Sequence, residues 1–278
     1  MGTQRTLGRR GPESLTYEIP PSMAYVVVVE VTRERTRVSI VNFVGTLIAD
    51  MRCPPVTSRR RSRVVVDKTV RLATDAAVDI QRIRHAVVGV EMAETTCDVA
   101  ALCESMRTRL ACSVVLDSVA NLAAVAERDA LAAAGVRDFA LMWIADEAKV
   151  AIIADGRLFR GPSGRVGWRD LLQVPAAAGS QVSACFVDEI ATYAVTLART
   201  LDLDRIVLAG TVPEGAVAAL AQGLQDRIAA IGALDIPPVS VQTTPNPVLA
   251  GASCVGLAAV RELVLYDALN NPNTAVER

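Results

Sequence analysis

Side chains able to do chemistry are sparse in this sequence, and the densest group follows a short apolar segment near its middle. Asp117 and Ser118 come directly after the segment 113–116, and Asn121 lies one helical turn further along. A carboxylate at such a position could remove a proton from a substrate hydroxyl, with the neighbouring polar groups as hydrogen-bond partners. The same side chains could instead cap and brace the helix that follows, and the residues alone favour this structural role.

A second polar group lies between two apolar segments further along the chain. Asp146, Glu147 and Lys149 could form a ligand site, but a solvated turn is the simpler interpretation. Trp168 could stack on the face of a ligand, although a large aromatic ring more commonly fills space in a core. These residues do not define a reaction.

The metal-binding residues are too scattered to predict a metal centre. The sequence has six cysteines without any C-x-x-C pair, and His85 is its single histidine. A structural zinc site is therefore not expected, and we predict neither a metal nor a cofactor. Most of the cysteines are expected to be buried thiols in a reducing compartment, which indicates the cytoplasm.

The composition is that of a protein with a large core. Hydrophobic residues make up 51% of the 278 residues and charged residues 21%, which is enough apolar surface for two packed domains. We find neither a signal peptide nor an apolar run near the roughly 20 residues needed to cross a bilayer, so no membrane association is expected. The formal net charge of −1 argues against nucleic acid covering the whole surface. The run 59–63 contains four arginines and is interpreted as a solvated loop, with a nucleic-acid patch as the alternative.

Hydrophobic periodicity predicts an α/β protein whose two halves repeat one another. Strands are predicted at 25–29, 37–43, 47–51, 85–90, 113–116, 138–144, 150–154, 205–208 and 239–242. Helices are predicted at 67–83, 98–110, 120–134, 184–200, 214–230 and 251–269. Each half begins with a hairpin, and the turns are 44–46 and Asp155-Gly156. This order suggests a duplicated domain with a ligand cleft between the two copies.

Four segments in the same order resemble the ROK family (repressors, open reading frames and sugar kinases). They are 25–50, 114–124, 155–164, and 205–210 together with 249–252, and the resemblance extends from about residue 8 to 269. It implies two actin-like (ribonuclease-H-like) ATPase lobes. The implied divisions are a linker-like basic tail at 1–23, a first lobe at 24–127 completed by a helix at 256–270, and a second lobe at 128–255. An unstructured basic tail of no particular ancestry is the alternative for 1–23.

The resemblance also shows which residues of the kinases this sequence lacks. The family's Asp-x-Gly-Gly phosphate loop aligns with 30–33, and its Gly-Thr-Gly-Ile-Gly loop aligns with 145–149, so the glycines that approach phosphates are replaced. The catalytic aspartate aligns with Val119, and the adjacent sugar-binding asparagine aligns with Ser118. A side chain without a titratable group cannot act as the general base.

The sugar and zinc motifs are similarly eroded. The family's Glu-x-Gly-His aligns with 168–171, which reads Trp-Arg-Asp-Leu, and the cysteine-rich zinc segment has no counterpart in 172–185. What remains of the sugar cleft supplies the candidate ligand-binding residues. They are Asp117, Ser118, Ser163, Gly164 and Trp168.

The resemblance therefore implies a non-catalytic protein. The expected function is the effector or dimerisation part of a ROK transcriptional regulator without its helix-turn-helix, so direct DNA binding is not expected. Its expected partners are a second copy of itself or an intact ROK regulator, with a small-molecule ligand possible. The alternative is a divergent, glucokinase-like ROK sugar kinase that uses Asp117 as its base. A third possibility is a sensor whose new ligand occupies an apolar pocket near Trp168.

Overall fold

The fold was analysed in a computed structural model. It describes residues 2–4, 16–33, 35–56, 58–91, 96–145, 147–168, 170–173, 184–211, 214–230 and 236–270. The chain divides into two compact units. Unit 1 comprises the described residues of 1–88, 97–115 and 253–278, and unit 2 those of 89–96 and 116–252.

Short strands occupy the N-terminal segment that the sequence predicts as a linker-like tail. Strands β1 (Gly2–Gln4) and β2 (Thr16–Glu18) pair in antiparallel fashion, and a 3-10 turn follows at Pro21–Met23. Strand pairing is made by backbone hydrogen bonds, so these two strands could not be predicted from a polar sequence without an apolar pattern.

A five-stranded sheet is built from the first part of the chain. Its strands are β3 (Tyr25–Val31), β4 (Thr36–Asn42), β5 (Leu47–Cys53), β6 (Ile83–Val90) and β7 (Ser113–Ser118). Their spatial order is β5-β4-β3-β6-β7, and β3, β4 and β5 form an antiparallel meander. The predicted turn at 44–46 is confirmed, because Asn42 Oδ1 accepts hydrogen bonds from Val44 N and Thr46 N.

The helices beside this sheet are α1 (Arg59–Asp75) and α2 (Thr96–Leu110). The prediction of a solvated loop at 59–63 is wrong, because these residues form the first turns of α1. Ser58 caps this helix by accepting a hydrogen bond from Arg61 N at 3.3 Å. Helix α1 begins eight residues before its predicted start and ends eight residues before its predicted end. Its residues Val65, Val66 and Ala73 are buried at helical spacing.

Unit 2 contains a six-stranded mixed sheet. Its strands are β8 (Phe139–Ile144), β9 (Glu147–Ala154), β10 (Arg157–Phe159), β11 (Asp170–Gln173), β12 (Arg205–Gly210) and β13 (Val239–Val241). The order is β10-β9-β8-β12-β13, with β11 also paired to β9. Asp155 and Gly156 both have positive φ, which confirms the predicted tight hairpin turn between β9 and β10. The sequence analysis missed β11.

Helices pack on this sheet and complete unit 2. They are α3 (Val119–Ala133), α4 (Ala184–Leu201) and α5 (Glu214–Ala230). Buried residues of α4 and α5 form one core with alternate residues of β8, β9 and β12. Helix α3 contacts β8 and β9, which explains why residues from 116 onward belong to unit 2, whereas the predicted lobe boundary is at 127/128.

The last helix, α6, spans Pro247–Asn270. Contrary to the sequence analysis, its segment Pro247–Tyr266 is long and apolar enough to cross a membrane by length and composition, and it is the single helix among the described residues that meets this test. Val248, Ala252, Leu257 and Val260 of this segment are buried, as expected for a helix that contributes to a protein core.

Candidate functional site: a buried carboxylate and the loop it holds

Asp117 lies at the end of β7, and its side chain is fully buried. Its Oδ1 accepts two hydrogen bonds of 2.8 Å, from Ser118 N and from Asn121 Nδ2. Its Oδ2 lies 2.6 Å from Arg160 Nη2. This second contact is an ion pair and lacks good hydrogen-bond geometry, since Oδ2 accepts no well-directed hydrogen bond among the described residues. Both carboxylate oxygens are therefore engaged within the protein.

Helix α3 begins at Val119, within one residue of its predicted start. Ser118 is the N-cap, and its Oγ accepts a hydrogen bond of 3.2 Å from Asn121 N. Val119, at the position of the family's catalytic aspartate, is fully buried. The predicted bracing role of Asp117 and Asn121 is confirmed, since the two side chains hydrogen-bond to each other, whereas the cap itself is Ser118.

The loop after β10, residues 160–168, is tied to this group. Asn121 Nδ2 donates a hydrogen bond of 3.2 Å to Val166 O, and Arg160 forms the ion pair with Asp117. Within the loop, Gly164 N donates to Gly161 O and Val166 N to Arg160 O. Two side chains of the motif at 117–121 thus fix the position of the glycine-containing loop.

Gly167 is the point of closest approach between this loop and helix α3. Its φ is +86°, and a Cβ added to it would lie 1.9 Å from Asn121 Oδ1. That distance leaves no room for a side chain, and the positive φ independently favours glycine. The loop and Asn121 are consequently packed backbone to side chain.

The same loop also lines an apolar cavity of about 550 Å³. Its walls come from β9, β10, the loop and helix α4. The lining residues are Val150, Ile152, Phe159, Gly161, Pro162, Ser163, Arg165, Val166, Gly167, Tyr193, Thr196 and Leu197. All of them belong to unit 2.

In unit 1, the segment aligned with the first phosphate loop is a closed β-hairpin. Strand β3 continues through Val31, and Thr32 N donates to Arg35 O at 2.9 Å. Thr32 Oγ1 also accepts a hydrogen bond of 3.2 Å from Arg35 N. A phosphate-binding loop needs free backbone N–H groups, whereas these two are already bonded within the turn.

Charged side chains flank this hairpin. Glu30 lies opposite Arg37 in the ladder, and burial raises the pKa of Glu30, although Arg35 and Arg37 oppose the rise. Arg37 Nε donates to Asp50 Oδ1 at 2.8 Å. Burial acts to raise the pKa of Asp50, but hydrogen bonds from Arg37 and Ser39 outweigh it, so the net pKa is lowered. Arg37 is thus paired with a carboxylate of the protein itself.

The segment aligned with the second phosphate loop is also a hairpin. Ala145 N donates to Glu147 O, and β9 begins immediately at Glu147. Lys149 Nζ lies 3.1 Å from Glu147 Oε2, and the Lys149 side chain is only 2% exposed. The interpretation of these two residues as a solvated turn is therefore wrong, because they form an ion pair on a strand within the fold. Asp146, the third residue of that predicted group, lies outside the described residues.

The candidate ligand-binding residues lie in two places, at the start of helix α3 and in the loop 160–168. Asp117 and Ser118 lie together with Asn121 and Arg160, whereas Ser163 lines the cavity. Gly164 is in the loop with φ of +67° and open space around it. Trp168, the last residue of the loop, is half-buried, and its backbone N–H donates to Arg165 O, but it is not among the residues that line the cavity.

Other sequence predictions concern segments that are described only in part. Arg169 of the eroded sugar motif and most of 172–185, where the zinc segment is missing, lie outside the described residues. Within the described part of the chain, no three His, Cys, Asp or Glu side chains form a group able to hold a metal ion. His85 is buried, and its Nδ1 lies 2.5 Å from Ser113 Oγ.

The sequence analysis missed Arg160 and the residues of α4 that line the cavity. A signal for Arg160 existed, because a buried carboxylate at the end of an apolar strand needs a cationic or donor partner. Tyr193 and Leu197 carried no such signal, since they continue the amphipathic pattern of an ordinary helix.

Comparisons with known proteins define the fold. No family model matches the sequence, and no curated protein matches it. Among solved structures, a ROK hexokinase from Thermus thermophilus is similar with a TM-score of 0.62 and 17% identity, covering 85% of this chain and 99% of that one. A ROK family glucokinase from Streptomyces griseus, solved with glucose and AMPPNP, has a TM-score of 0.60 and 15% identity, with 84% and 99% covered.

The structure of a transcriptional regulator is about as similar to this chain as the structures of these two kinases. A ROK family transcriptional regulator, a homologue of the E. coli MLC protein, has a TM-score of 0.66 and 12% identity, covering 93% of this chain and 84% of that one. The chain therefore has the α/β, actin-like fold of ROK proteins, as the four sequence segments indicated. Sugar kinases and regulators share this fold, so function depends on the residues of the site.

Proposed function

We propose that the chain is a non-catalytic member of the ROK family that acts as the effector or dimerisation module of a transcriptional regulator. The observation that carries this proposal is the state of Asp117, the carboxylate two residues before the position of the missing catalytic aspartate. Its two oxygens are occupied by Arg160, Asn121 and the backbone of Ser118, and it is fully buried. A general base must reach the hydroxyl proton of its substrate, so this geometry argues against the divergent-kinase alternative.

The two hairpins, at 30–33 and 145–149, also argue against binding of a nucleotide in the manner of the kinases. Phosphoryl transfer requires backbone donors and a metal around the phosphates. At 30–33 the backbone N–H of Thr32 is bonded within the turn, and at 147–149 the side chains of Glu147 and Lys149 pair with each other. Neither segment retains the glycines that would let its backbone approach a polyphosphate.

The regulator assignment rests on the lost chemistry together with the similarity to the MLC homologue over 93% of this chain. In this proposal the protein works in the cytoplasm by pairing with a second copy or with an intact ROK regulator. A purified protein that sediments as a monomer and captures no such regulator would argue against this mode of action.

A thermal-shift experiment tests the loss of ligand binding. The probes are Mg-AMPPNP and glucose, because the Streptomyces griseus glucokinase was solved with both. A ligand at 100 times its Kd stabilises a protein by about 2.7 kcal/mol, which raises the Tm measurably. The Streptomyces griseus glucokinase should show this rise of Tm with both probes and serves as the positive control. We expect no shift of Tm for this chain with Mg-AMPPNP. A saturable shift would contradict the proposal, whereas a shift with glucose alone would indicate a sensor that kept its sugar.

A further inference from the structure

The cavity lined by the loop 160–168 includes Ser163, a candidate residue of the sugar cleft, but none of the positions aligned with the catalytic aspartate or the phosphate loops. We propose that it is a binding site for a small amphipathic carboxylate, with an apolar body and one anionic end. The proposal does not depend on whether the chain transfers phosphate, because no cavity residue occupies an aligned catalytic or phosphate-loop position. Val150 is the residue directly after the second aligned phosphate loop.

The walls fit the body of such a ligand. Val150 and Ile152 of β9 and Leu197 of α4 supply aliphatic surface, and Phe159 and Tyr193 supply aromatic surface. The volume of about 550 Å³ lies within the range of small-molecule sites, and such sites are lined mainly by apolar and aromatic side chains.

Two aromatic side chains at the cavity are unusually accessible. Phe159 is 47% exposed and Tyr193 is 39% exposed, although both border an apolar space. Burial of apolar surface is favourable, so a ligand that covers these rings would gain from removing them from water. This exposure favours an apolar or aromatic body over a hydrated one such as a sugar.

Arg165 gives the site its charge. Among the described residues that line the cavity it is the single charged one, and it is exposed. Among the described residues no carboxylate lies within ion-pair distance of it, whereas neighbouring Arg160 is committed to Asp117. A guanidinium group matches a carboxylate with two parallel hydrogen bonds. The hydroxyl of Ser163 provides a further polar group at the lining, whereas the hydroxyl of Thr196 already donates to Thr192 O at 2.8 Å.

The loop that carries Arg165 is held in place before any ligand binds. Trp168 N donates to Arg165 O at 3.1 Å, and Val166 O is bonded to the buried Asn121. A binding group on a fixed loop loses less conformational entropy on binding than one on a free segment. The buried polar group at 117–121 therefore positions the new site, even though it does not contact the cavity.

Calorimetric titration with a matched pair of probes tests the proposal. The acid is 4-phenylbutyrate, and 4-phenylbutyramide has the same apolar body without the charge. We expect the acid to bind about tenfold more tightly than the amide, a difference of 1.4 kcal/mol. Arg165→Gln should reduce the affinity for the acid to that for the amide and leave the amide unchanged. Arg157→Gln, an exposed arginine of β10 that does not line the cavity, should change neither affinity.

A second variant tests the location. Thr196 is exposed on α4 at the cavity, so Thr196→Trp should fill the space and abolish binding of both probes while the circular dichroism spectrum is retained. The proposal is overturned if neither probe binds to the wild-type protein, if acid and amide bind equally, or if Arg165→Gln has no effect. It is also overturned if the ligand-free protein forms a dimer that Tyr193→Glu dissociates, because the rings would then be covered by a second copy.

Discussion

Replacing Arg160 with methionine should lower the free energy of unfolding by about 3 kcal/mol, because it leaves a buried carboxylate without its cation. Asp117 is fully buried, and Arg160 Nη2 is its only charged contact among the described residues. Methionine keeps much of the length of the arginine side chain, so the loss reports mainly on charge. Urea-induced unfolding, followed by circular dichroism, measures the effect.

The matched control is Arg157→Met on the same hairpin, which should change stability by less than about 0.5 kcal/mol, as usual for surface positions. Adding Asp117→Asn to Arg160→Met should be less costly than the sum of the two single changes by about 1 kcal/mol or more, because the two residues interact directly. Equal stability losses for Arg160→Met and Arg157→Met would show that the buried ion pair is not a determinant of stability.

Replacing Gly167 with alanine should be at least as severe, at about 3 to 5 kcal/mol, since overpacking and a strained positive φ add together. The added Cβ would lie 1.9 Å from Asn121 Oδ1, so either the loop or the buried asparagine must move. We expect the variant to have a lower Tm and to lose binding of 4-phenylbutyrate, because the loop forms one wall of the cavity.

Gly164 provides a closely matched control in the same loop. It also has a positive φ, of +67°, but a Cβ added there meets nothing within 4 Å. Gly164→Ala should therefore cost only the backbone strain, about 1 kcal/mol. Pairing Gly167→Ala with Asn121→Ala should restore part of the stability by removing the clash. If the two glycine variants lose stability equally, the close packing against Asn121 is not important.

Much of the architecture could be predicted because each element carried its own local signal. The β-branched residues of β3 and the positive-φ pair Asp155-Gly156 identify a strand and a hairpin turn without tertiary information. Helix α1 was misplaced because its first turns carry four arginines, which on their own resemble a solvated loop. The helix forms there because Val65 and Val66 are buried in the core, a tertiary effect that outweighs the polar sequence.

The candidate site was predictable only in part, for a related reason. The motif at 117–121 pointed to a braced helix start, because capping depends on residues a few positions apart. Arg160 is 43 residues away from Asp117 along the chain, so their pairing depends on how the β10 loop returns to α3. The cavity combines β9, β10 and α4, and its concave shape is a property of packing that no single segment encodes.

The most direct test of the central claim is transfer of the γ-phosphoryl group from radiolabelled Mg-ATP to a panel of hexoses and amino sugars. The wild-type protein and Asp117→Asn should both yield no labelled sugar above the protein-free background, while the Streptomyces griseus glucokinase labels glucose under the same conditions. Labelled sugar produced by the wild-type protein and lost in Asp117→Asn would contradict the account, because Asp117 would then act as a base in spite of its buried ion pair.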